Sequence, residues 1–305
     1  MSRIFEALQQ ANTELGRSLS EISESAQSLS QFSTALIGEA PAMEEAPQFS
    51  LPTDPQSRLV AWTEPHSLAA ENFRGLSARL RQAQQRRPLN RVLITSPVKG
   101  DGKSTISLNL AITLAAHGDK TLLVDGDLHQ RGLASTLEVT DDRGLADWCE
   151  RSEILPNVLH RAEGLPLWLL PAGFCQDQPL KALQSSRASE LLKQLGNWFS
   201  WIVIDSPPLV PLTDGNVWAA MSDAVLLVVR EGVTAKRALE KALESVEKSK
   251  LFAVVMNDAT PQEARYYREY GNAAIRAATK AAHKNEPTTT QSSSRFSSRT
   301  DTSRL

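Results

Sequence analysis

Through the middle of the chain, short runs of apolar residues alternate with segments whose apolar positions recur every three or four residues. That alternation is the pattern of βα units building a mostly parallel sheet. The runs, each predicted to be a strand, are Arg91 to Ser96, Thr121 to Asp127, Leu167 to Gly173, Trp201 to Pro208, Ala224 to Arg230 and Leu251 to Asn257. Helices are predicted between them. One runs from Lys103 to about His117, where Gly118 can take the left-handed conformation that closes a helix. Others fall over Leu180 to Trp198 and Thr234 to Lys250. No internal repeat interrupts the pattern, so the expected fold class is α/β, a single doubly wound domain over residues 63–270.

The pattern changes at both ends. Residues 1–29 place Leu8, Leu15, Ile22 and Leu29 at seven-residue intervals, with Ile4, Phe5 and Leu19 beside them, which predicts an amphipathic N-terminal helix. Such a stripe packs on its own domain, on a second copy or on a partner, and the sequence leaves those three open. Residues 30–62 are rich in Ser, Gln, Glu and Pro, with prolines at 41, 47, 52 and 55, and read as a flexible linker. Residues 271–305 begin as an Ala-rich helical stretch and end in PTTTQSSSRFSSRTDTSRL, whose apolar surface is too small to offset its ordering entropy. A disordered basic tail is expected there.

Composition narrows the class. The 305 residues are 41% hydrophobic, enough for a full core, yet no run approaches the roughly 18–20 uninterrupted apolar residues of a membrane-spanning helix. The start shows no basic segment followed by an apolar block, so the expected location is cytoplasmic. Cys149 and Cys175 form neither a disulfide framework nor a metal-ligand cluster. Lys and Arg against Asp and Glu number 3 to 9 over residues 1–64, 24 to 24 over 65–275 and 6 to 2 over 276–305. A balanced folded region is not the footprint of a nucleic-acid binder, whose positive charge gathers on a folded face.

The chemistry lies at the strand ends. VLITSPVKGDGKST passes from a predicted strand into a predicted helix, so Gly100, Asp101, Gly102, Lys103, Ser104 and Thr105 stand where backbone N–H groups and a helix dipole converge. Glycines let the backbone close round phosphate oxygens, a lysine adds a point charge, and a hydroxyl completes a magnesium shell. Pro97 holds the first glycine position of the strict G-x-x-x-x-G-K-[ST] pattern. LLVDGDL sets Asp125 and Asp127 on one side of an extended chain, and WIVID ends on Asp205. Hard oxygen ligands at this edge suit Mg²⁺, which takes one or two carboxylates beside phosphates and water and leaves a spare carboxylate to take a proton from an attacking hydroxyl.

Together TSPVKGDGKST, LLVDGDL and WIVIDSPPLVPLTDG resemble the bacterial tyrosine kinases, or BY-kinases, of capsule and exopolysaccharide loci. The similarity runs over about Glu64 to Tyr270 and includes EPHSLAAENFRGL, GLADWCE, LWLLPAG and LFAVVMN. The resemblance implies a P-loop-derived fold and an ATP- and Mg²⁺-dependent protein-tyrosine autokinase. It implies catalytic roles for Lys103, Asp125 and Asp127, with Asp127 activating the acceptor hydroxyl, and places the Walker B acid on Asp205 and a further acid on Asp214. It sets Asn257 where related ATPases contact adenine, and makes Tyr266, Tyr267 and Tyr270 the phosphoacceptors. As partners it implies a membrane polysaccharide co-polymerase, which would recruit the chain to the inner face of the cell membrane, and further copies in a homo-oligomer.

The chain also departs from the family. His129 occupies the place where an arginine usually follows the second acidic motif, and an imidazole does not reproduce a guanidinium's permanent charge or its forked hydrogen bonds. Lys99 replaces a loop proline, and the E-x-x-R-x-x-R helix appears as Glu71, Arg74 and Ser77. Two alternatives therefore stand beside the kinase: a P-loop module that has lost phosphoryl transfer and serves as a nucleotide-gated assembly switch, and a partitioning-type ATPase.

Overall fold

The computed structural model describes residues 41–259, apart from 131, 141–142, 152–157, 175–180, 182 and 211–213. The expected helix over 1–29, Tyr266, Tyr267, Tyr270 and the basic tail lie outside the described residues.

Eight strands form one sheet: β1 (Gln48–Phe49), β2 (Arg91–Thr95), β3 (Thr121–Asp125), β4 (His160–Ala162), β5 (Leu167–Leu170), β6 (Trp201–Asp205), β7 (Ala224–Arg230) and β8 (Leu251–Asn257). Their order is β1-β4-β5-β3-β6-β2-β7-β8, and every neighbouring pair is parallel except β4 with β5. The six predicted strands are all present, and four of them stop one to three residues short at their carboxyl ends, because the chain there turns away to build loops. The doubly wound α/β expectation holds. Seven helices are used below: α1 (Leu68–Gln84), α2 (Lys103–Ala116), α3 (Gly132–Thr136), α4 (Leu145–Arg151), α5 (Ser186–Trp198), α6 (Asp214–Met221) and α7 (Lys236–Ser245).

Strands β2, β3, β5, β6 and β7 bury both faces, which is why they read as unbroken apolar runs rather than alternating ones, whereas β8 at the sheet edge leaves Val254 and Met256 exposed. Val92, Ile94 and Leu123 point into a core shared with α1 and α2, whereas Leu93, Leu122 and Val124 point into the opposite core with Leu191, Leu195, Trp218 and Ala242 of α5, α6 and α7. Helix α2 is buried nearly throughout, from Ile106 to Ala115. Helix α1 begins at Ser67, whose hydroxyl accepts from the Ala70 N–H at 3.1 Å, and α5 begins the same way at Ser185 with Ala188 at 3.2 Å. Within α1, Arg74 donates to Glu71 and to the Pro65 carbonyl, and Ser77 is buried.

One expectation is corrected. From Pro41 to 62 the predicted linker is built into the domain: Phe49 pairs in β1 against β4, Leu51 and Leu59 are buried, and the Trp168 indole donates to the Met43 carbonyl at 3.0 Å. Asn109 of α2 clamps the segment further, donating to the Arg58 carbonyl and accepting from the Ala61 N–H, both at 2.9 Å. Pro41 and Pro55 open short helical turns, and the segment's few apolar residues fall at irregular spacing, so it reaches the core without any periodic signal.

The start of β2 is tied to β7 through Asp223. Its carboxylate accepts from the Arg91 guanidinium and from the Asn90 and Arg91 N–H groups at 3.1 and 2.9 Å. Burial raises this carboxyl, but the Arg91 bonds and the two N–H groups more than reverse it and hold it below the ordinary carboxylate range. A depressed carboxylate contributes stability above its unfolded pKa and loses it as pH falls through the folded one. Asp223→Asn is expected to cost about 1–2 kcal/mol at pH 7, measured by urea unfolding, and the gap from wild type to narrow below about pH 4.

Candidate active site

After β2 the chain turns through Ser96–Gly102 into α2, above the carboxyl edge of the sheet. Gly100 and Gly102 adopt φ of 94° and 95°, left-handed values that a side chain disfavours. At Gly102 there is also no room: a Cβ would lie 2.0 Å from Asn257 Nδ2. The first bond of α2 runs from the Ile106 N–H to the Gly102 carbonyl at 3.1 Å, which leaves the Lys103, Ser104 and Thr105 N–H groups outside the helix ladder, where a phosphate binds. The Asp101 side chain, 1% exposed, turns away from this cradle, accepting from the Thr234 hydroxyl at 2.7 Å and the Val98 N–H at 3.2 Å. Asn257 also faces the loop, its amide donating to the Asp101 carbonyl at 3.0 Å.

Beneath the loop, Asp125 and Asp205 are direct register partners at the ends of β3 and β6. Asp205 accepts from the Ser107 hydroxyl at 3.1 Å, and the Ser104 hydroxyl nearby favours its charged form. Asp125 accepts from the N–H groups of Asp127 at 3.3 Å and Leu133 at 3.2 Å. One oxygen of Asp127 is capped by the N–H groups of His129 and Gln130, both at 3.2 Å, and the other faces Lys103 Nζ at 3.8 Å. Gly126 permits this turn because its N–H donates to the Asp205 carbonyl at 2.7 Å and its carbonyl accepts from Trp218; a Cβ there would lie 2.9 Å from both neighbours. His129 Nε2 lies 2.7 Å from buried Asp214.

The electrostatics show what the site lacks. Burial, reinforced by the Asp205 charge, pushes Asp125 up to about 8. Burial likewise pushes Asp205 up to about 6, with Lys103, Ser104 and Ser107 opposing it. Three buried acids, Asp125, Asp127 and Asp205, share one lysine, a shortage of positive charge that a divalent cation relieves. Among the described residues no group of three or more His, Cys, Asp or Glu side chains is arranged to hold a metal. Two buried strand-end carboxylates beneath a phosphate loop are nonetheless the hard oxygen chemistry that suits Mg²⁺, which takes one or two carboxylates and fills the rest of its shell with phosphate and water.

A raised carboxyl is neutral in the folded protein where the unfolded chain is ionised, so its contribution falls as pH climbs from about 4 towards about 8. Asp125→Asn removes that loss. In magnesium-free buffer at pH 8 the variant is expected to unfold ~2 kcal/mol or more harder than wild type, with the difference shrinking towards pH 4, while losing activity.

The structure thus brings together Lys103, Ser104, Asp125, Asp127 and Asp205 and sets Asp101 and Asn257 against the loop rather than in its mouth. Thr234, Ser107 and Trp218 were not singled out by the sequence. Thr234 reads there as an ordinary helix start, Ser107 as one more residue of α2, and Trp218 as core.

A glycine-bearing loop that opens a buried helix above two acidic strand ends is the nucleotide site of a P-loop ATPase, and the family model for an AAA domain (AAA_31) matches residues 91–256. The chain is 32% identical over 187 residues to the tyrosine-protein kinase CpsD of Streptococcus agalactiae, a match covering 60% of this chain and 81% of that one. It is 29% identical over 244 residues to the succinoglycan biosynthesis transport protein ExoP of Rhizobium meliloti (strain 1021), covering 78% of this chain and 31% of that longer protein. The crystal structure of the chimerical protein CapA2B2 superposes with a TM-score of 0.64 at 28% identity, over 69% of this chain and 93% of that one. The chain belongs to the bacterial tyrosine-protein kinases, built on the P-loop fold.

Proposed function

We propose that the chain is an ATP- and Mg²⁺-dependent tyrosine autokinase that works with a membrane polysaccharide co-polymerase in exopolysaccharide or capsule synthesis or export. The observation that carries the reading is the placement of Lys103 Nζ 3.8 Å from Asp127, beside the Asp125 and Asp205 pair and below a loop shaped for phosphates. Ser104, Asp205 and Asp125 would hold the cation, which when bound neutralises phosphate charge. Lys103 and the N–H groups at the start of α2 bind the outer phosphates. Asp127 takes the proton of the acceptor hydroxyl as its oxygen attacks the γ-phosphorus, the bond to the β-phosphate oxygen breaks, and ADP leaves with that electron pair.

The acceptors in this reading are Tyr266, Tyr267 and Tyr270, every tyrosine of the chain, presented by one copy to another in a homo-oligomer. Among the described residues no helix is long and apolar enough to cross a membrane, so in this reading the partner brings the chain to the membrane's inner face. The relatives' names support the polysaccharide setting through ExoP. Phosphotyrosine mapping by mass spectrometry after incubation with Mg-ATP and the activating membrane protein is expected to find phosphate within residues 266–270. Unmodified tyrosines under those conditions would favour the second reading, a nucleotide-gated assembly switch, for which the engagement of His129 by Asp214 at 2.7 Å, in place of a free arginine, is the supporting observation.

A further inference from the structure

An aspartate inside an anion cradle is an anomaly that needs a physical account. Asp101 stands between the two left-handed glycines of the phosphate loop, where an outward carboxylate would repel a triphosphate. It is buried instead, and two elements beyond the loop hold it there. Thr234, in the turn between β7 and α7, donates its hydroxyl to one carboxylate oxygen at 2.7 Å while accepting from the Arg230 N–H at 2.7 Å, so its hydroxyl is fixed from both sides. The Val98 N–H donates to the other oxygen at 3.2 Å. Asn257, the last residue of β8, donates to the Asp101 backbone carbonyl at 3.0 Å and fills the space over Gly102. Asn257 is itself held by the Glu231 N–H on its carbonyl at 3.1 Å, next to the Arg230–Asp258 ion pair.

We propose that Thr234 and Asn257 are positioning residues forming a two-point latch on Asp101: Thr234 keeps the carboxylate turned out of the cradle, and Asn257 fixes the loop backbone at Gly102. The inference rests on the nucleotide-binding reading of this loop and deepens it. It gives Asn257 a role in phosphate affinity that needs no contact with the base, because one N–H of its amide is engaged on the loop backbone. It gives Thr234 a role without any contact to substrate: losing the hydroxyl leaves Asp101 with the Val98 N–H alone, and a buried carboxylate short of donors turns towards solvent, which here is the mouth of the cradle.

The test uses the full chain and calorimetric titration with Mg-ATP and with magnesium tripolyphosphate, which has the phosphates and no base. Thr234→Val, close to isosteric but without a hydroxyl, is expected to weaken both ligands by about tenfold or more, and Thr234→Ser to restore wild-type affinity. Asn257→Ala is expected to weaken both ligands by similar factors. Melting temperatures of the three variants within a few degrees of wild type separate this from general destabilisation. Unchanged ATP affinity in Thr234→Val, or an Asn257→Ala loss confined to ATP, overturns the latch while leaving nucleotide binding intact. No ATP binding by the wild-type chain overturns the nucleotide reading and the latch together.

Discussion

Lys103→Met is expected to reduce phosphotyrosine formation by a factor on the order of 10²–10³ or more, with the fold unchanged. The side chain is largely enclosed, with 14% of its surface exposed, and its ammonium group faces Asp127 at 3.8 Å and lowers the pKa of Asp205. Its charge therefore acts in a site where water screens weakly, and phosphoryl transfer depends almost wholly on positioning and charge. Methionine keeps the length and the packing and removes only the charge. Lys103→Arg is not expected to rescue, since a planar fork does not fit the space of a compact ammonium. Transfer of label from γ-labelled ATP, measured beside the unfolding temperature, checks this. A variant within tenfold of wild type would remove Lys103 from the reaction.

Gly102→Ala is expected to abolish measurable ATP binding, a loss of about a hundredfold or more. The new methyl group would stand 2.0 Å from Asn257 Nδ2, and the φ of 95° is costly for any L side chain by roughly 1–2 kcal/mol. The loop has to move, and its N–H groups move with it. Gly100→Ala provides the control. Its φ is 94°, but nothing lies within 4 Å of the added carbon, so strain alone operates and a loss of about tenfold is expected. Calorimetry on both variants separates crowding from strain, and equal losses would show that Asn257 does not set the loop.

The central sheet was legible because five of its strands are covered on both faces, so burial wrote itself into the sequence as uninterrupted apolar runs, which the half-exposed edge strand β8 shares. The acids at the ends of β3 and β6 and the lysine at the start of α2 were legible for a related reason: charged residues that end an apolar run at the ligand-binding edge have few structural explanations. What escaped notice depends on contacts between distant positions. Strands β1 and β4 are two and three residues long, too short for any period to show. The fixing of the Pro41–Thr63 segment depends on Asn109, 48 residues from Ala61. Thr234 acts on Asp101 across 133 residues, and nothing in V-T-A-K-R distinguishes it from a helix start. The expectation for Asn257 drew on its place at a strand end alone, and its bond to the Asp101 carbonyl, across 156 residues, left no trace in the sequence.

The direct pairing of Asp125 with Asp205 has a consequence for how such a chain can change. Two side chains set opposite one another by a pleat admit only steps of two residues, because adding or deleting one in either strand would send an acid into the wrong layer of the molecule. The length of these strands is thus frozen by their chemistry. Any divergence in size has to be absorbed at the opposite rim, in the turns that enter them around Gly118 and Ser200, which carry none of the reacting groups.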